Sequence, residues 1–361
     1  MASHKKNITY NVIYHILVLI LPLITAPYIS RILGPEGVGI YSYTNSVAHY
    51  FVVFAMLGLT KYGNRTIARV RDNKEELSKT FCNLYALQAI VASLALLAYL
   101  IYFVGFNEQY RVYFLIQLLN VGSALFNINW FFFGMEKFKL TVTRNAIIKI
   151  IATICIFIFV KTPEDLGIYI GITAGSILLS NIILWRFLFR HIKFVKPDFK
   201  KILSHIKPLL ILFIPVVAVS IYRTMDKIMI TLLSDVVQTG LYENADKIVL
   251  IPFSIITALG TVMLPRMSNI MAQGDEEKSK LYIRDSMQFV LCLSVAMMFG
   301  LAAVGEIFAP LYFGEAFADS GTLIKWLSPV VVIAAWANVI RTQYLIPKGK
   351  DKVYVVSVIL G

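Results

Sequence analysis

Gly240-Leu241-Tyr242-Glu243-Asn244-Ala245-Asp246 repeats, 201 residues on and without a gap, the pattern of Gly39-Ile40-Tyr41-Ser42-Tyr43-Thr44-Asn45. The same offset pairs Ile248 with Val47 and Arg266 with Arg65. It also lays the run Glu276, Glu277, Ser279 and Lys280 on Glu75, Glu76, Ser78 and Lys79. In each copy an apolar segment follows and a basic loop closes it, so one structural unit occurs twice.

The composition sets the class of both copies. Hydrophobic residues make up 58% of the chain and charged residues 15%, with a mean hydropathy of +0.72, far more apolar than a soluble domain requires. The apolar runs are about 20 residues long, which matches helices crossing about 30 Å of hydrocarbon rather than short alternating barrel strands. The expected fold is therefore all-α and polytopic, in a membrane. Cys82, Cys155 and Cys292 lie far apart inside apolar runs, without the spacing of a metal or redox site. Lys5 and Lys6 precede a long apolar run interrupted by Pro22 and Pro27, with no small-residue cleavage site before Arg31, and this run reads as an uncleaved first helix.

Ten complete spans are expected, near 9–30, 38–58, 81–104, 112–134, 145–160, 167–188, 208–233, 240–264, 284–304 and 322–345, with an eleventh starting at Val353. The fifth is short. With the N-terminus in the cytoplasm, 25 of the 34 Lys and Arg fall on that side and only Arg31, Arg111 and Lys161 on the other. This is a positive-inside distribution, and the net charge of +13 then calls for anionic membrane lipid and no nucleic acid. The repeat offset spans six crossings, an even number, so the halves are parallel repeats about an axis along the membrane normal. The expected division is an N-terminal lobe at 1–190, a basic linker at 191–207 and a C-terminal lobe at 208–361, the second lobe short of two spans.

The run Ser30-Arg31-Ile32-Leu33-Gly34-Pro35-Glu36-Gly37-Val38-Gly39-Ile40-Tyr41, its echo at Gly240-Leu241-Tyr242, and Met225-Asp226-Lys227-Ile228-Met229-Ile230 resemble the Wzx-type polysaccharide or O-antigen flippases. These belong to the multidrug/oligosaccharidyl-lipid/polysaccharide transporter superfamily. The resemblance implies two six-helix lobes around a cavity in a bacterial cell membrane. It also implies export of undecaprenyl-diphosphate-linked oligosaccharide to the outer leaflet, beside a polysaccharide polymerase and a chain-length regulator as partners. It implies no cofactor. Family members commonly have 12–14 crossings, more than are present here.

Such a cargo needs cations for its phosphates and polar or aromatic groups for its glycan. Arg223, Asp226 and Lys227 stand at i, i+3 and i+4 and share one helix face. Asp246 and Lys247 join them from the next span. A charge facing lipid at mid-membrane costs from about 2.5 kcal/mol upward, so these five should face the protein interior. Arg suits a diphosphate through its planar fork. The same trio would also serve merely to pin its helix to its neighbours. Tyr41, Asn45 and His49 form a second stripe, matched in the repeat by Tyr242 and Asp246. His49, Asp226 and Asp246 are candidates for ion coupling, while a packing role suits a membrane histidine better. Arg31 is a phosphate guide or an anchor. Gln117, Asn120 and Asn127 suggest hydrogen bonding between helices, and Lys149, Lys325 and Arg341 lie near enough to span ends to snorkel.

Pro22, Pro27 and Pro215 should bend the first helix of each half, with Gly34, Gly37 and Gly39 in a tight loop. Neither a phosphate loop nor a His-Glu-x-x-His motif occurs, so a transporter rather than an ATPase or zinc hydrolase is expected, with no catalytic or metal-ligating residue. Three alternatives stay open: a drug or cation antiporter of the same superfamily, a polytopic polysaccharide polymerase, and an assembly scaffold.

Overall fold

The computed structural model describes residues 2–106, 108–350, 353, 356 and 357. It consists of twelve α-helices joined by short connections, with no strand among the described residues. Seven helical segments among these residues are long and apolar enough to cross a bilayer. An eighth arises if Glu315–Leu327 and Pro329–Leu345, bent by 43° at their junction, form one span. The chain is a multi-pass, all-helical membrane protein. Leu94, Leu97, Ile101, Leu232, Leu233, Ile307 and Leu311 are exposed, as lipid-facing side chains must be.

The first two expected spans fall on α1, Ala2–Met56, a single run of 55 residues. Pro22 and Pro27 do not break it. The backbone leaves helical geometry at Gly34 instead, with φ 64 and ψ 179, a conformation glycine adopts at little cost. The expected tight loop is therefore a one-residue kink, with Gly37 and Gly39 inside helix. The expected eleventh span lies outside the described residues except at Val353, Val356 and Ser357.

Leu57, with φ 42, and Gly58, with φ 74, turn the chain into α2, Leu59–Val70. Leu59, Tyr62, Gly63 and Ile67 are its buried face, while Lys61, Arg65 and Arg69 are exposed. Asn73 Oδ1 accepts hydrogen bonds from the amides of Glu75 and Glu76, both 3.1 Å, at the start of α3, Lys74–Phe106. The fourth expected span is broken into α4, Arg111–Gly122, a 3-10 turn at Ser123–Phe126, and α5, Asn129–Gly134. The fifth is α6, Phe138–Phe159, whose 22 residues remove the expected shortness. Next come α7, Leu166–Leu188, and α8, Phe199–Leu233, which starts inside the stretch expected to be linker and contains Pro208 and Pro215. The rest comprises α9, Val236–Ala272, α10, Glu276–Phe313, α11, Ala318–Leu327, and α12, Pro329–Ile340, which runs into a π-helical turn at Arg341–Leu345.

These helices pack as two compact units, the larger taking residues up to Thr25 and Ile40–Leu233, the smaller Ala26–Gly39 and Ser234 onward. This division follows packing, whereas the expected lobes are defined by the repeat. The larger unit has its main core around Phe81, Trp130, Phe131, Phe132, Leu184 and Leu188, and a second cluster around Tyr43, Tyr99 and Phe114. The smaller unit is cored by Val249, Ile256, Val290, Val331, Ala335 and Val339. The repeat survives locally, since Glu75–Glu76 and Glu276–Glu277 both occupy first helical turns, where a carboxylate complements the helix dipole.

Candidate functional site

In the larger unit the two sequence-predicted stripes meet. Tyr41, Asn45 and His49 lie along α1 at one-turn intervals. Asn120 of α4 donates to Asn45 Oδ1 at 3.3 Å, and the Tyr41 ring packs edge-on against Tyr169 of α7 with centroids 4.8 Å apart. On α8, Lys227 lies within electrostatic reach of His49 and Asp226 within reach of Tyr50, whose hydroxyl donates to Ser220 O at 3.4 Å. Asp226 Oδ1 accepts from the Lys227 amide at 2.8 Å, so the carboxylate leans along its own helix. Asp226 and Lys227 are half-buried. Arg223 is exposed and, among the described residues, makes no hydrogen bond or ion pair. The arrangement offers one uncommitted guanidinium, a second cation and an aromatic, amide-bearing wall.

A buried arginine escaped the sequence reading. Arg144 is 7% exposed and sits six residues into α6, about 9 Å along its axis. Its guanidinium donates to the carbonyl of Ser180, to Asn129 Oδ1 at 3.0 Å and to Asn145 Oδ1 at 2.6 Å. Ser180 Oγ donates to Asn145 Oδ1 at 2.7 Å, Asn129 Nδ2 to Asn181 Oδ1 at 3.2 Å, and Asn181 Nδ2 to Ser123 O at 3.1 Å. The break between α4 and α5 makes this network necessary, because interrupted helices leave backbone groups unpaired. Gln88 closes the other side of the break. Its amide donates to Ala124 O at 2.7 Å and Asn127 O at 3.0 Å, while its carbonyl accepts from Trp130 Nε1 at 2.9 Å. The sequence hint for Arg144 was its adjacency to Asn145, masked by a helix start placed seven residues late.

In the smaller unit the repeat-related glycines face each other. A Cβ on Gly39 would fall 1.8 Å from Val236 O, and one on Gly240 would fall 2.0 Å from Pro35 O. Val236 is Pro35 plus 201, so the two contacts exchange under the repeat offset, the signature of a local two-fold crossing. Asn244 Nδ2 donates to Ser30 Oγ at 2.7 Å beside it. Arg31, read as guide or anchor, donates through Nη2 to Leu311 O at 2.8 Å. Lys247 pairs with Glu243 at 3.1 Å, an acid the site reading had left out. Asp246 and Tyr242 are half-buried on the same helix. No group of His, Cys, Asp and Glu that could hold a metal occurs among the described residues.

Residues 4–271 match the family model described as polysaccharide biosynthesis protein. A protein of Shigella dysenteriae is 25% identical over 362 residues, covering 99% of this chain and 90% of its own, and one of Escherichia coli K12 is 30% identical over 191 residues, covering 51% and 46%. Each is named "Putative O-antigen transporter". Among solved structures, an inward-facing multidrug resistance MATE family transporter of the MOP superfamily superposes with a TM-score of 0.65 over 94% of this chain and 87% of its own, at 13% identity. A second MATE structure, in complex with MaD3S, gives 0.52 over 98% and 82%, at 15% identity. These two show a shared fold.

Proposed function

Because the chain belongs to the polysaccharide biosynthesis protein family, we propose that it is a flippase moving polyprenyl-diphosphate-linked oligosaccharide from the cytoplasmic to the outer leaflet of a bacterial cell membrane. The family match carries this reading, and the O-antigen transporter names of two relatives support its cargo. In this reading the N-terminus is cytoplasmic, as the distribution of Lys and Arg favours. The protein catalyses no covalent step, and its work is to shelter a charged, hydroxylated head group from hydrocarbon.

The exposed guanidinium of Arg223 and the ammonium of Lys227 are assigned to the diphosphate, which a planar fork and a point charge hold in complementary ways. Tyr41 and Asn45, and Tyr242 by repeat, are assigned to the glycan. Lys247, already paired with Glu243, and Arg31, bonded to Leu311 O, are assigned supporting roles. His49, Asp226 and Asp246 are the groups through which an ion would couple. The two-fold contact at Gly39 and Gly240 supports reading the chain as two repeats, the basis of the two-lobe architecture. An uncommitted arginine beside Lys227 also argues against a cationic drug as cargo.

The test is mass spectrometry of lipid-linked glycans, leaflet by leaflet, in cells lacking the gene. Complete units held on the cytoplasmic side support the proposal. Units reaching the outer leaflet unpolymerised refute it in favour of a polymerase, and no accumulation refutes it in favour of an antiporter.

A further inference from the structure

Where α12 passes into the π-helical turn at Arg341–Leu345, the smaller unit buries amide groups that have no partner. Asn338 is 4% exposed and Gln343 2% exposed. Both side-chain atoms of Asn338 and the Oε1 of Gln343 are sealed from solvent without a hydrogen bond. The neighbouring hydroxyl has no proton for the two carbonyl oxygens, since Thr342 Oγ1 donates to the main-chain carbonyl of Asn338 at 2.7 Å, and Asn338 Nδ2 makes no hydrogen bond to it. The helix packed against this turn is α9. It presents Gly260, where a Cβ would stand only 2.3 Å from Asn338 Oδ1, so the glycine makes room for the amide.

Two costly features coincide here. Buried polar groups are nearly always paired, and π-turns are rare insertions that recur at functional sites. A purely structural helix would gain from an apolar residue at 338. The unpaired atoms of the two amides are one nitrogen carrying two N–H donors and two carbonyl acceptors, so their complement is a group with two O–H bonds and free lone pairs. A vicinal diol is such a group, and so is one water molecule. A metal cation satisfies the carbonyls but is opposed by the amide donor and by Arg341 on the same turn.

We propose that Asn338 and Gln343 form a carbohydrate subsite that takes paired hydroxyl groups of the cargo glycan. This rests on the flippase reading. The segment is carried beyond the 43° bend before Pro329, which gives α12 a place to swing away from α9 and admit the sugar.

The experiment uses the full chain, purified and reconstituted, as wild type, Asn338→Leu and Gln343→Met. Flipping is measured for two probes, polyprenyl diphosphate carrying the complete glycan unit and polyprenyl diphosphate carrying no sugar, and the melting temperature is recorded for each protein. The expected result is a melting temperature equal to or above wild type, with flipping of the glycosylated probe reduced at least about tenfold and that of the bare diphosphate retained, the loss of one well-placed hydroxyl contact. A lower melting temperature with both probes slowed alike overturns the proposal, since it reports a resident water in a structural role. Unchanged flipping of both probes overturns it as well. Wild type that moves neither probe refutes the flippase reading and the subsite together.

Discussion

Gly240→Ala tests the glycine crossing quantitatively. The new methyl would lie 2.0 Å from Pro35 O and 3.0 Å from Gly39 N. An ordinary carbon–oxygen contact is about 3.3 Å, so the backbones must separate by about 1.3 Å. That displacement would carry the 2.7 Å bond from Asn244 to Ser30 beyond hydrogen-bonding range, at a cost of about 1 kcal/mol. Overpacking adds about 1–3 kcal/mol, and the better helix propensity of alanine returns at most about 1 kcal/mol. A net loss of about 1–4 kcal/mol follows, visible as a drop of several degrees in the melting temperature of purified protein. Gly39→Ala, with its methyl 1.8 Å from Val236 O, should cost at least as much. One separation relieves both clashes, so the double variant should cost less than the sum by about 1 kcal/mol or more. Gly300→Ala on α10, where a Cβ meets nothing within 4 Å, is the control and should be neutral or slightly stabilising. Additive losses at 39 and 240, or a wild-type melting temperature for Gly240→Ala, would refute the reasoning.

Arg144→Ala should destabilise the larger unit by about 2–3 kcal/mol, read as a lower melting temperature, because it removes a donor from Asn129 Oδ1, Asn145 Oδ1 and the Ser180 carbonyl at once. Arg144→Lys should rescue little of this, since an ammonium cannot reproduce the fork. His191 accepts from Lys137 at Nε2 and donates from Nδ1 to Phe187 O at 2.8 Å, the neutral tautomer, and burial pushes its pKa below the ordinary value, assisted by the charge of Lys137. The stability it confers is therefore complete above about pH 6.5 and is lost as pH falls toward its folded-state pKa. His191→Gln should flatten the acid side of a melting-temperature profile, and an unchanged slope would exclude this histidine. Arg223→Ala or Lys227→Ala should abolish surface glycan with protein abundance intact, and a fall in abundance alone would make the cluster a structural one.

Much of the architecture was legible because it depends on local properties. Apolar run lengths located α3, α7, α9 and α10. Misplacements occurred where local cues compete, and the Glu75–Glu76 and Glu276–Glu277 pairs, read as loop, stand in the first turns of α3 and α10. Pro22 and Pro27 looked like the bends of the first helix, yet the interruption is at Gly34, where φ is positive. Basic residues made 199–207 look like linker, although lysines are good helix formers and α8 begins there. Arg144 was counted with exposed loop cations because nothing in its neighbours revealed the carbonyls of α7.

The candidate site divides the same way. Helical spacing alone placed Tyr41, Asn45 and His49 on one stripe and Arg223, Asp226 and Lys227 on another. It could not pair Lys247 with Glu243, commit Arg31 to Leu311 O, or leave Arg223 uncommitted. By itself the sequence determined that this chain is helical, membrane-embedded and internally repeated, since hydropathy and period are summed over neighbours in the chain. Only the tertiary structure decided that Gly39 and Gly240 lie face to face, that Arg144 is buried among amides, and that Asn338 and Gln343 lack partners. Those facts depend on which distant backbones approach within a few ångströms, and no local pattern encodes that.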